Sequence, residues 1–306
     1  MTVSPVVDVR TMSAAIVDAP QRSHVGRVPV PERGDGYVLV QLEGCGVCAS
    51  SLPVWEGRPW FRYPLEPGAP GHEGWGKDVA TGRRVALLSF HAFAEYEAVA
   101  ETSLVPLPPE LDDIPFPGEA LGCALNVFAR SGIRSGQRVA VVGAGFLGLL
   151  LVQLAVGAGA ETLVFSRRSR SLELARAFGA TTPDDPPDES CDVVIEATGA
   201  QEPLDLAARL CRERGRLVVA GYHQDGRRSV DMQLWNWRGL DVVNAHERDP
   251  AIRVEGMRAA VAAVVAGQLD PTPLYTHVFP LDLLDDAFGL VGTRPDGFVK
   301  ALVMSR

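Results

Sequence analysis

The chain has 306 residues, of which 46% are hydrophobic, so it is long enough to form two domains with cores of ordinary size. It carries 29 Lys and Arg residues against 38 Asp and Glu residues, which gives a formal net charge of -9. This acidic balance argues against nucleic acid as a partner, because neutralising phosphates requires clustered Lys and Arg.

Cysteine usage and apolar runs indicate the compartment. The five cysteines form no regular pattern, which argues against a disulfide framework and favours a reducing, cytoplasmic setting. Met1 to Arg10 lack the basic start and apolar run of a signal peptide. The uncharged stretch 139–160 contains five glycines, so we interpret it as a strand, a turn and a helix rather than a membrane span.

The first part of the chain is rich in strand and turn patterns. Residues 38–42 and 84–88 are strand-like, and Pro and Gly separate such runs up to about residue 124. Eight glycines fall within residues 36–76, which predicts a loop-rich region suited to a site.

Strand and helix patterns then alternate to about residue 246. This order predicts βαβ units with a parallel sheet. The predicted strands are 137–142, 161–165, 192–197 and 215–221, and the helices between them are 146–156, 172–178 and 203–210. The last 60 residues predict a helix at 254–267, a strand at 276–279, a helix at 283–290 and a strand at 298–304.

A glycine pattern stands between the first of these strands and its helix. It comprises Gly143, Gly145 and Gly148, with Phe146 and Leu147 opening the helix. Such a turn lets the backbone approach a pyrophosphate at the positive end of a helix, so it predicts a dinucleotide site. A glycine-rich packing turn without a ligand is the alternative.

The end of the next strand indicates which dinucleotide binds. An NAD site usually has an acidic residue here, which binds the ribose 2′-hydroxyl, but this strand ends in Ser166, Arg167 and Arg168. A hydroxyl and two guanidinium groups suit a 2′-phosphate, so the sequence predicts NADP. A solvated basic turn remains the alternative.

Four side chains are of the types that bind zinc. Cys48, His72, Glu73 and Glu119 supply thiolate, imidazole and carboxylate groups in sequence order. Spacing alone is weak evidence, because a single Cys or His is more often packed than bound to metal.

Several motifs together resemble the zinc-dependent medium-chain dehydrogenase/reductase superfamily, and among its members the sorbitol and threonine dehydrogenases. The resemblance runs along nearly the whole chain. Its motifs are GCGVCASSL at 44–52, GHEGWG at 71–76, AEY at 94–96, GAGFLG at 143–148, YTHVFPL at 275–281 and GFVK at 297–300.

The resemblance implies an α/β architecture with two domains. A GroES-like β-barrel catalytic domain is expected at 1–124 and 247–306, and a doubly wound Rossmann domain that binds NADP at 125–246. It also implies one catalytic zinc ion, an alcohol or ketone as substrate, and a homo-oligomer, either a dimer or a tetramer. The lobe that binds a structural zinc in the family is missing, since residues 82–96 pass almost directly from strand to strand.

The resemblance also implies roles for individual residues. Cys48 and His72 become zinc ligands, and Glu73 becomes a ligand or a close neighbour of the metal. Glu119 takes the third or fourth position, with Cys123 as the fallback ligand.

Proton transfer is implied for Ser50, which matches the family's hydroxyl residue between substrate and proton path. Two neighbours depart from the family pattern. Ser51 stands where an Asp usually orients the zinc-bound His, and Pro53 stands where many members have a relay His. Proton transfer must therefore continue through water, a ribose hydroxyl or another group.

Three functions are compatible with these features. The first is a zinc- and NADP(H)-dependent alcohol dehydrogenase or carbonyl reductase. The second is a zinc-independent NADPH-dependent quinone or enoyl reductase, and the third is a non-catalytic NADPH-binding protein. Cys48, His72, Glu73 and Ser50 favour the first, while substrate and physiological direction stay open.

Overall fold

The computed structural model describes residues 11–185 and 188–305. The segment Met1 to Arg10, on which the expectation about a signal peptide depends, lies outside these ranges. The first elements of the chain are strands with one short helix between them: β1 (Thr11–Ala19), β2 (Arg22–Pro29), β3 (Tyr37–Gly46), α1 (Leu52–Glu56), β4 (Glu73–Asp78), β5 (Arg84–Leu87), β6 (Tyr96–Ala100) and β7 (Leu104–Pro106).

A second group of elements forms the alternating part of the chain. Its members are α2 (Gly118–Ser131), β8 (Arg138–Val142), α3 (Phe146–Gly157), β9 (Glu161–Phe165), α4 (Ser169–Ala177), β10 (Cys191–Glu196), α5 (Gln201–Leu210), β11 (Cys211–Val219), α6 (Met232–Arg238) and β12 (Asp241–Asn244). The chain then ends with α7 (Pro250–Val265), β13 (Tyr275–Pro280), α8 (Leu284–Thr293) and β14 (Lys300–Met304).

One sheet combines the two ends of the chain. Its strand order is β13-β14-β3-β4-β5-β7, and β6 pairs with the other part of β3. The late strand β14 lies antiparallel to β3, with Leu302 opposite Gly46. The β1–β2 hairpin packs beside this sheet, and Met12, Val17 and Leu42 share its apolar core. Residues after 270 therefore complete the sheet that the first hundred residues begin.

The second sheet is parallel throughout and has the order β12-β11-β10-β8-β9. Helices cover both of its faces, because neighbouring side chains of a strand point to opposite sides. Val139 of β8 packs with Leu151 of α3, whereas Ala140 packs with Leu204 of α5. This doubly wound arrangement and the mixed sheet confirm the predicted fold class.

Three helices, α1, α2 and α6, were not expected from the sequence. Helix α2 begins at Gly118 and spans the predicted domain boundary at 124, so the boundaries stay a prediction. Its Gly122 lies against the backbone of Met257 in α7, and this contact binds the helix to the returning chain. Helix α6 is short, and Asp231 caps it by accepting a hydrogen bond from Leu234 N. Among the described residues, no helix is long and apolar enough to cross a membrane.

Candidate functional site

The pairing of β3 with β4 brings together two parts of the predicted metal site. Gly46, the last residue of β3, lies opposite Glu73, the first residue of β4. Cys48 follows β3 by two residues and His72 immediately precedes β4, so the strand register sets both beside each other. A one-residue slip would turn Glu73 to the other face of the sheet.

Three of the predicted ligands converge. One sulfur, nitrogen or oxygen atom from each of Cys48, His72 and Glu73 lies within 4.8 Å of the others. The Ser50 hydroxyl lies 3.1 Å from Cys48 Sγ and 3.3 Å from His72 Nε2. His72 Nδ1 lies 3.0 Å from the Pro70 carbonyl oxygen, which requires the proton on Nδ1. In the neutral ring, Nε2 then carries the lone pair that a metal ligand requires.

The electrostatics of this cluster favour a cation. Burial disfavours the imidazolium form of His72, but the hydrogen bond with Cys48 and the charges of Cys48 and Glu119 outweigh it. Together they raise the pKa of His72 to about 10. A thiolate, an imidazole and a carboxylate within 4.8 Å of one another are the ligand types of zinc, so the donor set fits this metal.

Glu73 already has a cationic partner inside the protein. Its carboxylate is 1% exposed and lies 2.5 Å from the ammonium of Lys300, which is 5% exposed. Lys300 also donates to the Val47 carbonyl oxygen at 3.2 Å and stands 4.8 Å above the ring of Phe146. Gly46 leaves space for the Glu73 carboxylate, because a Cβ at position 46 would lie 1.9 Å from Glu73 Oε2.

Glu119 is held by an arginine. Its Oε1 accepts a hydrogen bond of 2.6 Å from Arg253 of α7. Among the described residues, the side chains that lie close enough together to hold one metal ion include neither Glu119 nor Cys123. Burial, assisted by the charge of Glu119, raises the pKa of the Cys123 thiol. The assignments of Glu119 and Cys123 therefore stay predictions.

The two residues that depart from the family pattern have definite places. Ser51 is buried, and its hydroxyl lies 3.4 Å from His72 Nδ1 and 3.5 Å from the Pro70 carbonyl oxygen. It therefore stands beside the imidazole that an acidic residue would orient. Pro53 is buried in the first turn of α1, where a missing N–H leaves no bond unmade.

The glycine turn has the geometry that the sequence predicts. Gly143 directly follows β8 and has a φ of +108°, which side chains with a Cβ rarely adopt. A Cβ on Gly148 would lie 1.9 Å from the Gly143 carbonyl oxygen, so this residue lets α3 begin close to the strand. Gly145 is the N-cap of α3, and Phe146 and Leu147 form its first turn. The free N–H groups there suit a pyrophosphate.

Ser166, Arg167 and Arg168 form the loop after β9. The Arg168 guanidinium donates to the Ala144 carbonyl oxygen at 3.0 Å and to that of Phe298 at 2.5 Å. Burial and the nearby charge of Arg294 lower the pKa of Arg168. Arg167 is exposed, and Ser166 Oγ accepts from Arg168 N at 3.2 Å. The loop thus concentrates positive charge at the end of the second parallel strand.

Sequence reasoning missed two charged residues of the site, Lys300 and Arg253. Lys300 had a recognisable signal, because it stands alone as a charge in an apolar closing strand. A buried Lys is rare unless it has a partner, which predicts a nearby carboxylate. Arg253 had no such signal, since an arginine in an amphipathic helix is ordinarily solvated.

Comparison with known proteins gives consistent matches. The family model described as zinc-binding dehydrogenase matches residues 147–253. L-threonine 3-dehydrogenase of Ruegeria pomeroyi is 24% identical over 327 aligned positions, covering 89% of this chain and 94% of that protein. 2-Dehydro-3-deoxy-L-galactonate 5-dehydrogenase of Pseudoalteromonas atlantica is 26% identical over 198 positions. That match covers 60% of this chain and only 56% of the relative.

Solved structures agree with this assignment. A zinc-binding dehydrogenase from Sinorhizobium meliloti 1021, bound to NADP, superposes with a TM-score of 0.82 at 26% identity, covering 96% of this chain and 99% of that one. 2R,3R-Butanediol dehydrogenase from Bacillus subtilis shares the fold, with a TM-score of 0.83 at 22% identity over 96% and 100% of the chains. These matches support the resemblance to the medium-chain dehydrogenase/reductase family that the sequence motifs predict.

Proposed function

We propose that the protein is an NADP(H)-dependent dehydrogenase that uses one catalytic zinc ion to interconvert an alcohol and a carbonyl compound. The observation that carries this proposal is the convergence of Cys48, His72 and Glu73, with the Ser50 hydroxyl in contact with the first two. The domain limits 1–124, 125–246 and 247–306 are part of the same proposal. So is a homo-oligomeric state.

The chain's own residues suit this reaction. Cys48 and His72 would hold zinc, with the carboxylate of Glu73 beside it and Glu119 within electrostatic reach of His72. When bound, zinc supplies Lewis acidity and the nicotinamide supplies or accepts hydride. Lys300 fixes the Glu73 carboxylate, so this charge stays buried beside the cluster.

Ser50 is the proton-transfer residue in this mechanism. Its hydroxyl contacts both Cys48 and His72, so it can donate to or accept from a substrate oxygen at the same place. Pro53 provides no ionisable group for the next step. The proton must then pass to water or to a hydroxyl of a bound ligand.

Cofactor preference follows from the loop after β9. Arg167 is exposed and free to pair with a phosphate, and Ser166 occupies the place of the usual acidic residue. Replacing Ser166 with Asp should lower affinity for NADPH by about 10- to 100-fold, because a like charge replaces a phosphate partner. Affinity for NADH should change little or rise. Fluorescence titration with both nucleotides checks this, and equal losses for both would contradict the assignment.

Metal analysis of the purified protein tests the mechanism. We expect about one zinc ion per chain, lost in Cys48→Ser, because three-ligand catalytic sites bind poorly without their thiolate. Cys211→Ala is the matched control, since Cys211 is buried away from the cluster and should leave zinc content unchanged. Absence of zinc from the unmodified protein, purified without chelator, would refute the proposed chemistry. A zinc-independent reductase would then be the better assignment.

A further inference from the structure

A hydrogen-bond network fixes the loop that follows β11. Glu196, at the end of β10, is fully buried, and its Oε1 accepts from the backbone N–H groups of Thr198 and Gly199 at 2.6 and 2.8 Å. Its Oε2 lies 3.0 Å from His223 Nε2. Arg228 donates to His223 Nδ1 at 2.9 Å, so this nitrogen is the acceptor and Nε2 carries the proton.

Arg228 also closes the far end of the same loop. Its guanidinium donates to the Gly199 carbonyl oxygen at 2.5 Å and pairs with Asp225. Both ring nitrogens of His223 therefore have a hydrogen-bond partner. These bonds hold residues 223–228 at the carboxyl end of β10, the central strand of the parallel sheet. A loop held in this way can present one side chain at a defined position.

That side chain is Gln224, which reaches across to the other sheet. Its Nε2 donates to the Ala49 carbonyl oxygen at 3.3 Å, and Ala49 stands between Cys48 and Ser50. The carbonyl of Ala49 can only accept, so it determines which end of the amide faces it.

The other end of the same amide has no hydrogen-bond partner in the part of the chain that the structure describes. Gln224 Oε1 is buried, and no described residue donates a hydrogen bond to it. Leaving a buried acceptor unpaired is unfavourable, and such atoms are few in native proteins. The atom is oriented by Ala49 and lies beside the segment that carries Cys48 and Ser50. An unpaired acceptor therefore lies next to the candidate metal site, where the hydroxyl of a bound ligand would satisfy it.

We infer that Gln224 is a ligand-binding residue whose Oε1 accepts a hydrogen bond from a hydroxyl of the bound dinucleotide's nicotinamide ribose or of the substrate. This inference rests on the proposed function only in taking NADP(H) and an alcohol as the ligands. The two hydroxyl sources share one chemistry, and binding measurements separate them. The Ala49 contact keeps the oxygen in place in the free protein.

Three probes test the inference: NADPH, NADH and 2′,5′-ADP, which has the phosphate-bearing adenosine half but no nicotinamide ribose. In Gln224→Met, which keeps the shape but removes the acceptor, NADPH affinity should fall roughly tenfold, the size expected for one lost hydrogen bond. NADH should weaken equally, and 2′,5′-ADP should bind as before. Gln224→Glu keeps an oxygen acceptor and should bind NADPH more tightly than Gln224→Met does. Gln268→Met, at an exposed glutamine beyond α7, is the matched control.

The outcomes have distinct meanings. NADPH weakening without 2′,5′-ADP weakening assigns the hydroxyl to the nicotinamide ribose. Unchanged NADPH affinity, with a roughly tenfold rise in KM for the best alcohol and an unchanged kcat, assigns it to the substrate. If neither changes, or if all three nucleotides weaken together, the inference is wrong. Failure of the unmodified protein to bind either nucleotide would instead refute the proposed function.

Discussion

At the scale of single residues, the buried ion pair between Lys300 and Glu73 holds one carboxylate of the candidate metal site in place. The pair connects β14 with the start of β4, and both groups are almost fully buried. Removing one member leaves the other charge without a partner in a low-dielectric setting. The loss of one partner therefore lowers the free energy of unfolding by far more than the intact pair contributes to it.

We therefore expect Lys300→Met to lower the free energy of unfolding by about 3 to 5 kcal/mol. Urea denaturation of metal-free protein measures this directly. The double variant Glu73→Gln with Lys300→Met should recover most of the loss, because no buried charge remains. Lys77→Met is the control, since Lys77 is half-exposed and 3.8 Å from Glu43, and it should change stability by less than about 0.5 kcal/mol. Equal losses in both single variants would contradict this account.

His91 provides a pH-dependent contact near the cluster. Its Nδ1 lies 3.6 Å from Glu97 and its Nε2 3.0 Å from Glu66, while the adjacent Phe90 stacks on His72 with ring centroids 6.0 Å apart. The hydrogen bond with Glu97, despite partial burial, raises the pKa of His91 above its ordinary 6.5. The protonated imidazole is therefore favoured in the folded protein.

Protonated His91 should contribute its full share of the unfolding free energy below pH 6.5, the ordinary pKa of histidine. This contribution should be lost as the pH rises through the raised pKa of His91 in the folded protein. We expect the difference in unfolding free energy between the wild type and His91→Gln to be largest near about pH 6 and to shrink as pH rises. Thermal and urea unfolding across this range check the prediction. A difference that grows with pH would contradict it.

Residue types at the site were readable from the sequence, but several partners were not. Cys48, His72 and Ser50 stand in compact local motifs, and one strand pairing suffices to join them. Lys300 and Gln224 meet the cluster only because β14 pairs with β3 and the loop after β11 faces Ala49. Such long-range neighbours depend on the complete topology, which no local pattern specifies.

At the scale of elements, the close contact of α2 with α7 depends on one small residue. A Cβ on Gly122 would lie 2.6 Å from the Met257 backbone nitrogen. This distance leaves no room for a methyl group unless the helices move apart. The contact matters for the site because α2 carries Glu119 and α7 carries Arg253.

Gly122→Ala should therefore destabilise the protein by about 1 to 3 kcal/mol, the range for overpacked cores. Gly289→Ala in α8 is the matched control, because nothing lies within 4 Å of its Cβ position. There the loss of glycine's backbone freedom should stabilise the helix by up to about 1 kcal/mol. Denaturation midpoints of both variants test the contrast, and a stabilised Gly122→Ala would refute the packing argument.

Elements with strong periodicity were predicted well and others were not. Strand β9 matches its prediction at 161–165, and β8 and α3 differ by only one residue at an end. The sequence before residue 124 contains prolines near the start of α2, and these obscured a helix whose stability comes from packing on α7. Helix α6 is too short for a helical period to stand out.

At the scale of the whole molecule, nucleotide binding should stabilise the fold by mass action. NADPH at about a hundred times its Kd should raise the unfolding free energy by about 2.7 kcal/mol. NADH at the same concentration should raise it much less if the loop after β9 selects the 2′-phosphate. Thermal unfolding with each nucleotide provides the measurement. Equal shifts for both would mean that the Arg167–Arg168 loop does not discriminate.

The position of Arg168 has a consequence for recombining this protein with its relatives. Its guanidinium spans from the glycine turn to the Phe298 carbonyl oxygen, and Asp296 accepts hydrogen bonds from Ser169 and Arg170. If residues 125–246 form the nucleotide-binding module, as proposed, that module is not self-contained, because residues near the end of the chain hold the loop after β9 in place. A chimera that imports residues 125–246 alone would separate the loop from its supports. Exchanging residues 294–298 together with residues 125–246 would keep the loop after β9 with the residues that form hydrogen bonds to it.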